Sequence, residues 1–113
     1  MVDLHTFKRL VAEAMDDVPE PFAAAFAEVA VIVEARAPAD DPDLYGCYLG
    51  VPLDEPWGAD GQLPPTIALY MHPLIDDCET KAELVDQIRI TVLHELGHHL
   101  GMDEDQLEAL GYG

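Results

Sequence analysis

The chain has 113 residues, with 23 acidic side chains against 5 basic ones, and therefore a formal net charge of −18 at pH 7. This length suits one domain and is too short for two, so we expect a single domain over residues 1–113. The negative field would repel a phosphate backbone or an anionic membrane surface, which argues against nucleic-acid and membrane partners. The sequence has no serine and no asparagine, which excludes a Ser–His–Asp hydrolase and a Cys–His–Asn site.

The cysteines and the N-terminal residues bear on the compartment in which the protein works. Cys47 and Cys78 belong to no short Cys/His cluster, and we interpret them as reduced thiols. Charged side chains interrupt the N-terminal residues, unlike those of a signal peptide. No segment approaches the roughly 20 apolar residues that a membrane-spanning helix needs. The sequence therefore predicts a cytoplasmic protein.

The first part of the chain predicts two helices and a strand. Apolar side chains recur at spacings of three and four over residues 3–17, which indicates an amphipathic helix. A second, short helix is predicted for residues 21–27, where Phe22 and Phe26 lie one turn apart. Residues 29–34 form a β-branched run that is apolar on both faces, which is typical of a buried strand.

The central part of the chain, residues 37–65, is rich in proline and glycine, which break regular elements. Within it, residues 44–51 are predicted to form a short strand. Residues 66–71 then alternate between two faces, which indicates a half-buried strand at the edge of the sheet.

The last part of the chain predicts a long helix followed by a short one. Thr80 opens the long helix, which runs over about residues 81–100. Gly101 ends it, because glycine accepts the left-handed conformation common at helix C-termini. Asp103 is predicted to cap a last short helix that extends to about Leu110.

The long helix carries the pentad His-Glu-Leu-Gly-His, in which His94 and His98 lie one turn apart on the same face. Two imidazoles at this spacing can bind one zinc ion without the help of a loop. Glu95 lies about 100° round the helix from His94, too far to be a ligand together with both histidines. It is placed instead to act as a general base on a water molecule beside the metal.

A zinc site needs a third protein ligand, and the acidic residues Asp103, Glu104 and Asp105 follow the predicted turn at Gly101. A sharp turn there would return one of these carboxylates to the metal. Asp103 has a competing role as the N-cap of the last helix. The residues alone leave the choice of ligand open.

The motif and its surroundings resemble a known family. Residues 94–104 are similar to the extended signature His-Glu-x-x-His-x-x-Gly-x-x-Asp of the small bacterial zincin-like metallopeptidases, sometimes called minimal zincins. The likeness covers most of the chain after about residue 28 and includes the segments 44–46, 50–53, 63–70 and 107–112.

The resemblance implies an α+β fold, a minimal zincin-like domain. A small mixed sheet would pack with N-terminal helices, a long helix carrying the HExxH motif and a short C-terminal helix. It also implies one Zn²⁺ ion and a peptide or protein substrate. Where the family signature has its last aspartate this chain has Glu104, which we expect to be the third ligand, with Asp105 as the second choice.

Three further residues have candidate roles. Tyr70 and Tyr112 could donate a hydroxyl to the oxyanion that develops during hydrolysis. The alternative for each is an amphipathic ring at the edge of the core. His99 projects towards the core side of the long helix, where a buried histidine with a satisfied hydrogen bond is expected rather than a metal ligand.

Two functions from different classes account for this motif. In the first, the protein is a zinc metallopeptidase with Glu95 as its general base. In the second, the same ligands stabilise a peptide-binding module that carries out no turnover. Glu95 favours the enzyme, since a purely structural zinc site needs no carboxylate at that position. Hydrolysis of a non-peptide amide remains a third option that the motif allows.

Overall fold

The computed structural model describes residues 2–50 and 65–113, and predictions for residues 51–64 lie outside this range. Its elements are, in chain order, α1 (Leu4–Ala14), α2 (Phe22–Glu28), β1 (Ala30–Glu34), β2 (Gly46–Leu49), β3 (Thr66–Tyr70), α3 (Met71–Asp76), α4 (Lys81–His99) and α5 (Glu104–Ala109). This content confirms the predicted α+β class. Within the described ranges, no helix combines the length and the apolar character needed to cross a bilayer.

Helix α1 begins after Asp3, whose side chain accepts a hydrogen bond from the backbone N–H of Thr6 at 2.8 Å. Its apolar face is buried, and the helix contacts α4. The helix ends at Ala14 rather than at the predicted residue 17. Asp17 has a φ of 62°, in the left-handed region that a continuing helix cannot use.

The sheet is mixed, as predicted, but β3 does not lie at its edge. The strand order is β1-β3-β2, with β1 parallel and β2 antiparallel to β3. The prediction of an edge strand at residues 66–71 is therefore wrong. Ala68 and Tyr70, on the second face of that strand, are 2% and 6% exposed. Alternation of side chains between two faces indicates which face of a strand is buried. It does not indicate whether the strand is paired on one side or on both.

Strand β1 lies at one edge of the described part of the sheet, although its apolar run predicts a strand buried on both faces. Ala30, Ile32 and Glu34 are exposed, and Val31 and Val33 are only half-buried. The prediction of a buried strand is wrong here. A β-branched run fits any pleated surface, and it does not determine how many of its faces are covered.

Helix α3 has no counterpart among the sequence predictions. It begins directly after β3, and Pro73 occupies its first turn, where a proline displaces no intrahelical hydrogen bond. Met71, Pro73 and Leu74 are buried. A helix of six residues is too short to show a helical period in the sequence, and its proline is usually a sign of a turn or loop.

Helix α4 is central to the fold, since it contacts α1, α2 and α3 as well as strands β2 and β3. These neighbours bury most of its circumference, including the polar side chains of Glu95 and His99. His94 and His98 lie on the remaining face, where 21% and 33% of their side chains stay exposed. The face of α4 that carries His94 and His98 is therefore open to solvent.

Candidate metal centre

The two histidines of the pentad bring their ring nitrogens together on the open face of α4. The Nε2 atoms of His94 and His98 lie 3.2 Å apart, and the two rings are nearly perpendicular, at 80°. The four-residue spacing produces this approach, because residues one turn apart project from the same side of a helix.

A tight turn follows α4 and reverses the chain. The N–H of Met102 donates to the carbonyl of Gly97 at 2.8 Å, and the N–H of Gly101 donates to the carbonyl of His98 at 3.1 Å. This pair of bonds is the Schellman motif, which needs a left-handed residue at Gly101. Gly101 has a φ of 85°, so the predicted end of the helix is confirmed.

Gly97 allows α5 to pack closely on α4. A Cβ atom built on Gly97 would lie 2.2 Å from Cδ2 of Leu107, a distance that no real Cβ contact shows. Leu107 is fully buried in this contact. The glycine inside the pentad therefore brings the start of α5 next to the two histidines.

The first residue of α5 directs its carboxylate to both rings. Oε1 of Glu104 lies 3.4 Å from Nε2 of His94 and 3.1 Å from Nε2 of His98. Asp103 forms a capping box with Gln106, which confirms its predicted role as the N-cap. Asp105 lies in the same first turn and is exposed. Of the three candidate ligands, the structure brings Glu104 to the histidines.

Three ligand-type atoms thus converge, with separations of 3.1, 3.2 and 3.4 Å. Ligand atoms about 2.0–2.1 Å from a tetrahedral zinc ion lie about 3.3–3.4 Å from one another, so the triangle has a suitable size. Two imidazoles and a carboxylate are also a donor set of catalytic zinc sites, which keep the fourth position open. The residues present fit a Zn²⁺ ion.

The backbone of Tyr112 orients the first histidine. Nδ1 of His94 lies 2.7 Å from the Tyr112 carbonyl oxygen, which can only accept a hydrogen bond. The ring must therefore carry its proton on Nδ1 and present the Nε2 lone pair to the other two ligand atoms. Sequence reasoning missed this partner, because a backbone carbonyl has no residue-type signature.

Glu95 is buried beside this group. Only 9% of the residue is exposed, and the backbone N–H of Tyr48 in β2 lies beside its carboxylate and favours the charged form. Burial raises the pKa of Glu95 to about 7, opposed by the neighbouring His94. Ligand-type atoms of His94, Glu95 and His98 lie within 4.8 Å of one another, but Glu104 makes the closer approach to the rings.

A cleft of about 360 Å³ opens beside this part of α4. His94 and Glu95 line it from α4, and Gly46 lines it from β2. A larger cleft of about 500 Å³ lies elsewhere and includes His72. Within residues 2–50 and 65–113, however, three or more metal-ligand side chains gather only on α4.

The two tyrosines considered for the oxyanion have other contacts. The Tyr70 hydroxyl lies 3.3 Å from Sγ of Cys47, and this contact, with burial, raises the pKa of Tyr70 to about 12. The Tyr112 ring packs edge-on against Phe22, with centroids 5.4 Å apart, and the residue also lines the cleft. An oxyanion role stays a prediction for both.

His99 is buried, as predicted, with 2% of the residue exposed. Both of its ring nitrogens have partners. Nδ1 lies 2.8 Å from the Tyr48 hydroxyl, and Nε2 lies 3.1 Å from a carboxylate oxygen of Glu28. The sequence predicts the burial but gives no sign of these distant partners.

Comparisons with known proteins bear on the fold and the family of this chain. A conserved hypothetical protein from Thermo thermophilus is similar in structure, with a TM-score of 0.57 and 27% sequence identity. The similarity covers 96% of this chain and 97% of that one. A search of curated proteins gives no significant match. The model of the zincin-like metallopeptidase family matches residues 26–113. The chain belongs to the zincin-like metallopeptidases.

Proposed function

We propose that the protein is a zinc-dependent peptidase in which His94, His98 and Glu104 hold the ion and Glu95 is the general base. One observation carries the proposal. Two imidazole nitrogens and a carboxylate oxygen converge within 3.1–3.4 Å, next to a buried carboxylate that is not needed to hold them. A structural zinc site would have no use for that second carboxylate.

When bound, zinc supplies Lewis-acid catalysis, polarising a peptide carbonyl and acidifying a water molecule. Glu95 removes a proton from the water as its oxygen attacks the carbonyl carbon. It then passes that proton to the amide nitrogen as the peptide C–N bond breaks, which releases a carboxylic acid and an amine. In the metal-free protein burial raises the pKa of Glu95 to about 7, so its carboxylate accepts a proton more readily than that of an exposed glutamate.

The substrate in this proposal is an extended peptide or protein segment that lies along β2. Both sides of β3 are already paired, so this strand has no edge to offer to a peptide. In the described part of the sheet β2 pairs on one side with β3, and Gly46 at its start lines the cleft. Main-chain pairing with an edge strand would hold a peptide across the metal centre.

The test is Glu95→Gln, which keeps the size and polarity of the side chain but removes the base. Zinc affinity should survive, while hydrolysis of a broad peptide library should fall by about 10²–10⁴-fold. Glu13→Gln makes the same change at an exposed position of α1 and should leave the zinc affinity and the rate of hydrolysis unchanged.

Two outcomes would overturn the mechanism or the function. Equal cleavage rates for Glu95→Gln and the parent would exclude Glu95 as the base. If the zinc-loaded parent cleaves no member of the library, the zinc-stabilised peptide-binding module becomes the better account.

A further inference from the structure

A chain of hydrogen bonds through the buried His99 joins three elements behind the candidate metal centre. Glu28 is the last residue of α2, His99 is the last residue of α4, and Tyr48 lies in β2. The His99 ring lies between the other two side chains, at 3.1 Å from Oε1 of Glu28 and 2.8 Å from the Tyr48 hydroxyl. His99 is 2% exposed, whereas 57% of the Glu28 side chain is exposed, so the chain of bonds runs from the surface at Glu28 to the buried ring.

The direction of each hydrogen bond follows from the carboxylate. A carboxylate oxygen of Glu28 accepts, so a His99 ring that holds a single proton carries it on Nε2. Nδ1 is then an acceptor, and the Tyr48 hydroxyl donates to it. Glu28 therefore fixes the tautomer of His99, and the tautomer fixes the orientation of Tyr48.

Tyr48 also contacts the candidate catalytic group through its backbone. Its backbone N–H lies beside the Glu95 carboxylate and favours the charged form of that group, while its side-chain hydroxyl is hydrogen-bonded to His99. The rings of Tyr48 and His99 are additionally in tilted contact, with centroids 5.5 Å apart. One residue of β2 thus connects the buried histidine to the carboxylate beside the metal ligands.

We propose that His99 is a positioning residue for Glu95. Held by Glu28, it anchors the Tyr48 side chain and so keeps the Tyr48 backbone N–H against the Glu95 carboxylate. The inference rests on the proposed role of Glu95 in hydrolysis. An apolar side chain could fill the same space, but it could not hold the hydroxyl of Tyr48 at a fixed point, and a misplacement of about 1 Å can cost about 10²-fold in rate.

The experiment compares three variants of the zinc-loaded protein on a peptide that the parent cleaves. Tyr48→Phe removes the hydroxyl but keeps the ring, and Glu28→Ala removes the acceptor for His99. Both should lower kcat by about tenfold or more, with KM and zinc affinity within about twofold of the parent. Glu28→Gln offers an amide oxygen in place of the carboxylate and should recover most of that loss. Glu13→Ala, an exposed glutamate of α1, is the matched control.

A second readout does not depend on activity. Hydrogen exchange of the residue-48 amide should become faster in Tyr48→Phe and Glu28→Ala, with or without zinc, and should stay unchanged in Glu13→Ala. In the parent, ¹⁵N shifts of His99 should report a proton on Nε2.

The two readouts separate the failure of this inference from the failure of the proposed function. If the parent cleaves peptides while both variants keep its kcat and its residue-48 exchange rate, the positioning role is wrong and the peptidase stands. If the parent cleaves nothing, the peptidase proposal fails. The exchange rates then still decide whether His99 fixes β2 against Glu95.

Discussion

Glu104 and Asp103 are neighbouring carboxylates with separable tasks. Glu104 approaches both histidine rings, while Asp103 accepts the backbone N–H of Gln106 at 2.8 Å. The capping bond contributes to folding whether or not a metal is bound. A metal ligand, in contrast, affects the affinity for the ion and adds stability only when the ion is present.

We therefore expect Glu104→Ala and Asp103→Ala to have different effects. Loss of a hydrogen-bond partner of a metal ligand costs up to about 100-fold in metal affinity. Glu104→Ala removes a ligand itself, so it should weaken zinc binding by at least about 100-fold. Asp103→Ala should lower the free energy of unfolding of the metal-free protein by about 1 kcal/mol. Competition with a chelator and urea unfolding measure the two quantities. Asp105→Ala is the control, and the reverse ranking would mean that the ligand and the cap are exchanged.

At the residue scale, local patterns predict more of the site than long-range partners do. The four-residue spacing predicts that His94 and His98 share a face, and the turn at Gly101 predicts the return of an acidic segment. The carbonyl of Tyr112 and the N–H of Tyr48 could not be predicted, because every residue carries these groups. Their positions depend on the packing of β2 and the C-terminal residues against α4.

At the scale of the elements, the contact between α4 and α5 determines how far Glu104 reaches. A Cβ atom on Gly97 would collide with Leu107. We expect Gly97→Ala to lower the free energy of unfolding by about 1–3 kcal/mol, despite a gain of up to about 1 kcal/mol in helix propensity. Zinc affinity should fall as well, because α5 must move away from the histidines.

A double-mutant cycle with Leu107→Ala tests the cause of that loss. Removal of the leucine side chain relieves the collision, so Gly97→Ala should cost less in that background. Urea unfolding of the four proteins gives the coupling energy. An identical cost in both backgrounds would show that the close packing of α5 is not the reason for the glycine.

The last turn of the chain provides a second test at this scale. Deletion of Tyr112 and Gly113 removes the acceptor for Nδ1 of His94 and should weaken zinc binding by about 10–100-fold. Tyr112→Phe keeps the backbone carbonyl and the ring, so it should bind zinc as the parent does. Equal affinity in the truncated protein, measured by chelator competition, would contradict the orienting role of the carbonyl.

Strand order is the part of the fold that the sequence predicts least well. The apolar pattern identified β1 and β3 as strands but exchanged their positions, placing β3 at an edge and β1 in the interior. Pairing joins residues that are distant in the chain, such as Ala30 with Thr66, and no local period records it. Helices α1, α4 and α5 were more predictable, because their caps and apolar faces are local.

At the scale of the whole molecule, charge bears on which peptides would reach the candidate metal centre of the proposed peptidase. The net charge of −18 gives the protein a negative field overall. The cleft strengthens that field locally, since the carboxylates of Asp41 and Asp43 line it. A cationic peptide is therefore attracted to the same region in which the ligands converge.

We expect peptides with lysine or arginine near the scissile bond to be cleaved with a higher kcat/KM than matched peptides with glutamate. The advantage should shrink as ionic strength rises from about 0.01 M to about 1 M, because the Debye length falls from about 30 Å to about 3 Å. Most of the change should appear in KM, since steering acts on the encounter and not on the bond-breaking step. A preference that persists unchanged in high salt would point to direct contacts in the cleft, and a preference for glutamate would contradict electrostatic steering.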